Sequence, residues 1–183
     1  MSFLMTVNRF LKTGYFMNYL SWRRLRNQKD SVSNLKLADF YTGKLAATGI
    51  TRSALGVLKR RFTADVHGQR TTDGRLILNE DFTYDDGRQF SRQWTLNALD
   101  LDEKKFLGSG ADIHGDIHGE AKGCAALLIY TLKVPQKGGS FKKIDITHWQ
   151  YQVTDTKTIH KLTLKKWFIP IIKSTVVFER LEP

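Results

Sequence analysis

Few residues in this 183-residue chain have the types and spacing to do chemistry, and the clearest are Glu80 and Arg92. They lie in LILNEDFTYDDGRQFSRQWTL, residues 76–96, where two alternating segments flank Asp85-Asp86-Gly87. Leu76, Leu78, Glu80, Phe82 and Tyr84 share one face of the first segment, and Phe90, Arg92, Trp94 and Leu96 share one face of the second. That is the period of two of half-buried strands. A two-residue Asp-Gly turn would set apolar residues against polar ones. A three-residue loop with Gly87 left-handed instead pairs Tyr84 with Arg88, Phe82 with Phe90, Glu80 with Arg92, Leu78 with Trp94 and Leu76 with Leu96. A slip of one residue turns a whole face over, so the second register is expected. It sets a carboxylate opposite a guanidinium on the face that should be buried, where a charge must be paired. The pair reads two ways: as an interior structural ion pair, or as the polar anchor of a ligand cavity in which Arg92 meets a carboxylate or phosphate.

Other chemistry is sparse. In GSGADIHGDIHGEAKG, residues 108–123, Asp112, His114, Asp116, His118 and Glu120 alternate, and one uninterrupted strand would turn all five to one side as nitrogen and oxygen metal ligands. Gly115 and Gly119 argue for bends or bulges instead, and the spacing is no recognised ligand signature. No metal or cofactor is therefore expected, and the glycines form neither a P-loop nor a dinucleotide motif. Cys124 is the only cysteine, in a small-residue apolar run that suggests packing. There is no GxSxG elbow. His148 and His160 fall on segments that can be neighbours, but two histidines are not a mechanism. Were the protein an enzyme, Glu80 and then His148 would be the titratable candidates.

The elements that must position these residues are strands. Strand-like segments fall near 39–47, 53–66, 75–84, 88–97, 104–112, 121–134, 141–153, 157–167 and 173–180, with turn signals between them. Short connections and no long helical stretch argue an all-β, antiparallel up-and-down barrel of about 8–10 strands, since closure removes the exposed edges of so long a meander. In the segment before the hairpin, Arg60 shares a face with Phe62, Ala64 and Val66, which suggests an Arg60–Glu80–Arg92 cluster. Residues 1–36 read as an amphipathic helix and linker, and residues 37–183 as one barrel domain. The N-terminal apolar runs are too short to span a bilayer, and they show neither a lipoprotein cysteine nor a secretory signal. The expected location is the cytoplasm or the periphery of the cell membrane.

The chain carries 29 Lys and Arg against 18 Asp and Glu, a net +11. The excess sits at the two ends: residues 1–36 hold seven basic and one acidic side chain, and residues 133–173 hold nine and two. Such zones favour anionic partners. No helix-turn-helix, zinc-finger or RRM signature accompanies the charge, so nucleic acid is not expected. Trp22 beside Arg23, Arg24 and Arg26 has the aromatic-plus-basic edge of an interfacial anchor, so residues 1–26 are expected to meet an anionic membrane surface. The alternative is a helix that covers the domain's own apolar surface. Trp167 and Phe168 before Ile169-Pro170-Ile171-Ile172 make an apolar corner that could pack under this segment or face a membrane.

The order Phe40-x-x-Gly43, Gly49, Arg61-Phe62, Leu78-x-Glu80-x-Phe82-x-Tyr84-x-Asp86-Gly87 and Arg92-x-Trp94 resembles the DUF3833 family of bacterial proteins. The 108–123 block, Tyr130 with Leu132, Trp149, and Lys165-Lys166 before Val176–Phe178 extend the resemblance over about residues 38–180. It implies a calycin-like barrel and no established activity or site residues; many members look like envelope lipoproteins. Two departures stand out: the lipoprotein cysteine is missing, and Thr147 and His148 replace acidic residues before Trp149. The expected function is a lipocalin-like barrel that binds a lipid-like or fatty-acid-like ligand near a membrane surface. Leu78, Phe82, Phe90, Trp94, Tyr130 and Trp149 would line it, and Glu80 and Arg92 would supply polarity. The alternatives are an enzyme acting on such a substrate and a filled barrel used for interaction.

Overall fold

The computed structural model describes residues 15–28, 35–98, 104–136 and 138–181. Ten strands follow one another: β1 (Gly43–Ser53), β2 (Leu58–Arg70), β3 (Leu76–Tyr84), β4 (Gln89–Ala98), β5 (Lys105–Gly110), β6 (Ile117–Lys122), β7 (Ala125–Pro135), β8 (Phe141–Thr154), β9 (Lys157–Lys166) and β10 (Ile169–Arg180). Each pairs antiparallel with the next, and β1 pairs with β10, so the sheet closes on itself. This is the expected antiparallel up-and-down barrel, with no free edge strand.

The β3–β4 hairpin has the expected register: Leu76 faces Leu96, Leu78 faces Trp94, Glu80 faces Arg92 and Phe82 faces Phe90. The Tyr84 amide donates to the Arg88 carbonyl at 2.9 Å, and Gly87 has φ 79°, which closes the three-residue loop. Elsewhere boundaries differ from expectation. The 108–123 block holds the end of β5, a turn and the separate short strand β6, with Gly115 at positive φ in the turn. The segment expected at 39–47 is divided between a one-turn helix and the start of β1. β2 pairs Phe62 with Tyr84 and Val66 with Glu80, so Arg60 lies past the end of this pairing, over the Tyr84 ring at 5.3 Å. The expected Arg60–Glu80–Arg92 cluster does not form, because the register carries Arg60 toward the end of the barrel.

Two helices precede the sheet. Helix α1 (Tyr15–Arg26) lies on the outside of the barrel, with Leu25 fully buried and Trp22 partly buried against Ala125, Leu127, Trp149 and Tyr151. Trp22 therefore covers the domain's own surface, while Arg23, Arg24 and Arg26 stay exposed. Residues 1–14 lie outside the described residues, so the expected membrane contact through 1–26 falls largely on them. Helix α2 (Leu37–Tyr41) closes the barrel end at which β1 begins, with Leu37, Ala38, Phe40 and Tyr41 buried. Its seat depends on Gly68: a Cβ there would come within 1.6 Å of the Tyr41 carbonyl oxygen. Among the described residues no helix is long and apolar enough to cross a membrane.

Candidate functional site: a cavity with a buried ion pair and a histidine chain

With α2 at one end, the main cavity lies toward the other, the mouth, where the β1–β2, β3–β4, β5–β6, β7–β8 and β9–β10 turns gather. Between them lies a cavity of about 670 Å³, within the usual range for small-molecule sites. Phe62, Phe82, Leu132, Leu162, Leu164 and Ile171 make its wall toward the mouth apolar. Deeper in, the wall turns polar with Glu80, Arg92, His148, Gln150 and His160, and Tyr41 belongs to the closed end.

The two charges meet as their register requires. Arg92 Nε donates to Glu80 Oε2 at 2.5 Å, with side-chain exposures of 17% and 6%. The guanidinium lies over the Trp94 ring at 4.4 Å and the Phe82 ring at 5.1 Å. Burial works against its charge, but Glu80, with Tyr130 and Asp112 nearby, more than offsets that penalty, and the Arg92 pKa is raised. Only Nε is engaged by Glu80, which leaves the two terminal nitrogens of the fork for a ligand. The Trp94 indole nitrogen is a second buried donor without a partner in the same wall, and an orphaned buried donor is uncommon enough to need an explanation.

At the floor, four side chains form a hydrogen-bonded chain. Tyr130 Oη lies 3.5 Å from His148 Nδ1, His148 Nε2 lies 3.0 Å from His160 Nδ1, and His160 Nε2 lies 2.5 Å from Tyr41 Oη. Tyr41 Oη also donates to Gln150 Oε1 at 3.1 Å. If Tyr41 gives its proton to Gln150, each imidazole donates through Nε2 and accepts at Nδ1, so every link has one donor and one acceptor. Burial first, then the nearby Arg92 charge, lowers the His148 pKa to about 3. Burial, His148 and Arg92 hold His160 well below the usual range as well. Both imidazoles are neutral, and burial pushes the Tyr41 and Tyr130 hydroxyls up, so they stay protonated.

The structure gathers most of the expected residues. Leu78, Glu80, Phe82, Phe90, Arg92 and Trp94 line the cavity, with Phe90 at its mouth and partly exposed. Tyr130 is buried behind this wall, edge-on to Trp94 at 5.1 Å. Trp149 is the exception. His148 and Gln150 face inward from β8, so Trp149 faces outward, stacked on Tyr151 at 5.8 Å in the cluster beneath α1. Thr147 also faces outward and accepts from Lys165 Nζ at 2.7 Å. Tyr41, Gln150 and Thr158 joined no expected site. A polar period of two at Gln150–His148 and at Thr158–His160 signalled an inward polar stripe, but nothing in the sequence ties Tyr41 to it. His114, Asp116 and His118 are exposed, and no three His, Cys, Asp or Glu side chains converge among the described residues.

The chain is thus a closed antiparallel up-and-down barrel, capped at one end and hollow toward the other. The chain belongs to the DUF3833 family, described as proteins of unknown function, whose model matches residues 15–180. No curated protein matches it in sequence. Its fold is similar to that of the S-type phycobiliprotein lyase CPES from Guillardia theta, with TM-score 0.57, 7% identity, and 80% of this chain and 91% of that one covered. It is also similar to a DUF3598-family protein of unknown function from Nostoc punctiforme, with TM-score 0.56 and 12% identity, covering 81% of this chain but only 50% of that one. At such identities the likeness is one of fold.

Proposed function

We infer that this protein is a non-enzymatic binding barrel for one anionic amphiphile of the fatty-acid class, held with its head group at Arg92 and its chain along the apolar wall toward the mouth. The observation that carries this reading is the cavity of about 670 Å³ that places a buried guanidinium, bound to Glu80 through one nitrogen only, at the inner end of an apolar wall. A filled structural barrel would have no such space. A carboxylate can take the fork bidentately, an arrangement that Lys cannot offer.

The test compares a fatty acid with the fatty alcohol of equal length as competitors for a dansyl-labelled fatty acid. A hydrogen bond to a charged group contributes about 1.5–3 kcal/mol, so the acid should bind roughly tenfold or more tightly. The preference should vanish in the paired variant Glu80→Gln with Arg92→Gln. Equal binding of acid and alcohol to the wild type overturns the assignment of the head group. An enzymatic reading has one observation behind it, the neutral His148 imidazole in the cavity wall. Mass spectrometry of the incubated fatty acid separates the two. The binding reading expects it back unchanged, and a product that disappears in His148→Gln would establish turnover.

A further inference from the structure

Two of the turns around the mouth are tied together: the Ala54 amide of the β1–β2 turn donates to the Ile171 carbonyl beside the β9–β10 turn, at 3.0 Å. On or next to these two turns stand the four most exposed large apolar side chains among the described residues, Leu55 at 94%, Trp167 at 77%, Ile169 at 65% and Val57 at 60%. An apolar cluster left at the surface marks an interaction site.

The backbone supports a role outside folding. Trp167 and Phe168 both have positive φ, 48° and 70°. A two-residue hairpin turn of this kind normally carries Asn-Gly, because a bulky side chain in the left-handed region is strained. An aromatic pair held there against the preference of the backbone is the kind of local strain that collects at functional positions.

Charge follows the same edge. Residues 52–61 and 161–173 hold eight basic and no acidic side chains; of these Lys165 is buried against Thr147 and Arg61 pairs with Asp85 of the β3–β4 turn, which leaves six for the surface. Lys59 and Arg60 reach the cavity wall at the mouth, and the Lys166 ammonium lies 4.6 Å from the centre of the Trp167 ring. Apolar tips on a cationic base match a surface that offers hydrocarbon beneath anionic head groups. A nucleic acid would satisfy the charge but not the four apolar tips.

We propose that this half of the mouth rim docks on an anionic bilayer surface, with Leu55 and Trp167 entering the head-group boundary and the surrounding Lys and Arg side chains meeting lipid phosphates. This surface is distinct from helix α1, whose Trp22 and Leu25 are occupied by the barrel wall. Docking rests on the rim alone. Passage of an amphiphile between bilayer and cavity rests in addition on the binding reading above.

The test is flotation of the full chain with phosphatidylcholine vesicles, with and without phosphatidylglycerol. Binding should require phosphatidylglycerol and weaken with salt. It should fall about tenfold or more in Leu55→Asp and in the paired variant Trp167→Asn with Phe168→Gly. The paired variant gives the turn its preferred residues, so its thermal unfolding temperature should hold or rise, which excludes misfolding as the cause. Displacement of the dansyl-labelled fatty acid without vesicles should stay unchanged in both variants, so failure of docking and failure of ligand binding are read separately. Vesicle binding equal to wild type in both variants, or equal binding to neutral and anionic vesicles, overturns the proposal. So does retention on duplex DNA with no vesicle binding.

Discussion

Replacing Arg92 should cost more stability than replacing Glu80, and the two replacements together should cost less than their sum. Both side chains border the cavity but are not equally buried: Glu80 is 6% exposed and Arg92 17%. In Arg92→Gln a carboxylate stays behind without its partner, with only a small exposed edge on the cavity to hydrate it. The guanidinium also loses its places over Trp94 and Phe82. Breaking a buried pair in this way costs about 3–5 kcal/mol. In Glu80→Gln the remaining cation can be hydrated from the cavity and keeps both rings, so about 1–3 kcal/mol is expected, the penalty for one buried polar group left short of a partner. With both replaced, neither charge is stranded and the glutamines can bond to each other. The double variant should then lie within roughly 1 kcal/mol of Glu80→Gln, a coupling of about 2 kcal/mol or more. Urea unfolding of the four proteins, followed by tryptophan fluorescence at constant pH and salt, gives the cycle directly. Additive losses, with coupling under about 0.5 kcal/mol, would falsify the buried-pair account. Arg92 would then be held by its ring contacts rather than by Glu80.

Two further outcomes follow from the floor of the cavity. His148, with its pKa lowered to about 3, and His160, also held well below the usual range, are neutral in the folded protein, while unfolded histidine titrates near about 6.5. As pH falls below that value the unfolded chain takes up protons that the folded one refuses. Stability should therefore be intact above about pH 6.5 and drop by up to roughly 1.4 kcal/mol per histidine per pH unit below it. Urea midpoints between about pH 6 and 5 test this, and His148→Gln should remove close to half of the slope; an unchanged slope would reject the buried neutral pair. At the capped end, Gly68→Ala drives a methyl group into the Tyr41 carbonyl. It should lower stability by about 1–3 kcal/mol as an overpacking change and raise protease sensitivity near residue 41, whereas wild-type stability would mean that α2 is not seated there.

The β3–β4 hairpin was legible because its information is local. Character-matched pairs and a Gly at the left-handed turn position admit one register, and that register carries Glu80 and Arg92 to the same height. β8 was misread for a reason of the opposite kind. Periodicity says which residues share a face but not which face is the interior, and the apolar face of Trp149 and Tyr151 looked like the inner one. In this barrel α1 covers the outside of β7 and β8, so the outer face there is apolar. The inner face carries His148 and Gln150, because the floor of the cavity is a hydrogen-bonded chain rather than a packed core. Tyr41 escaped altogether, since it reaches that chain from a helix about a hundred residues away in sequence.

The strand that was missed also bears on why there is a cavity. In a meander where every neighbour is antiparallel, alternate strands run in opposite directions, so an odd number would bring the first and last together in parallel. Nine segments were therefore inconsistent with a closed antiparallel barrel, and one more strand had to exist or one had to disappear. The glycine-interrupted 108–123 block concealed it: β6 is six residues long and pairs with both β5 and β7. The count has a physical consequence. Eight strands give an interior that side chains can fill or that holds one small ligand, and diameter grows with strand number. With ten, residues such as Phe62 and Phe82 cluster on one wall, 5.6 Å apart, without filling the space before the opposite one. At ten strands there is more room than at eight, and Glu80–Arg92 is here the polar part of a cavity wall and not a buried pair in a solid core.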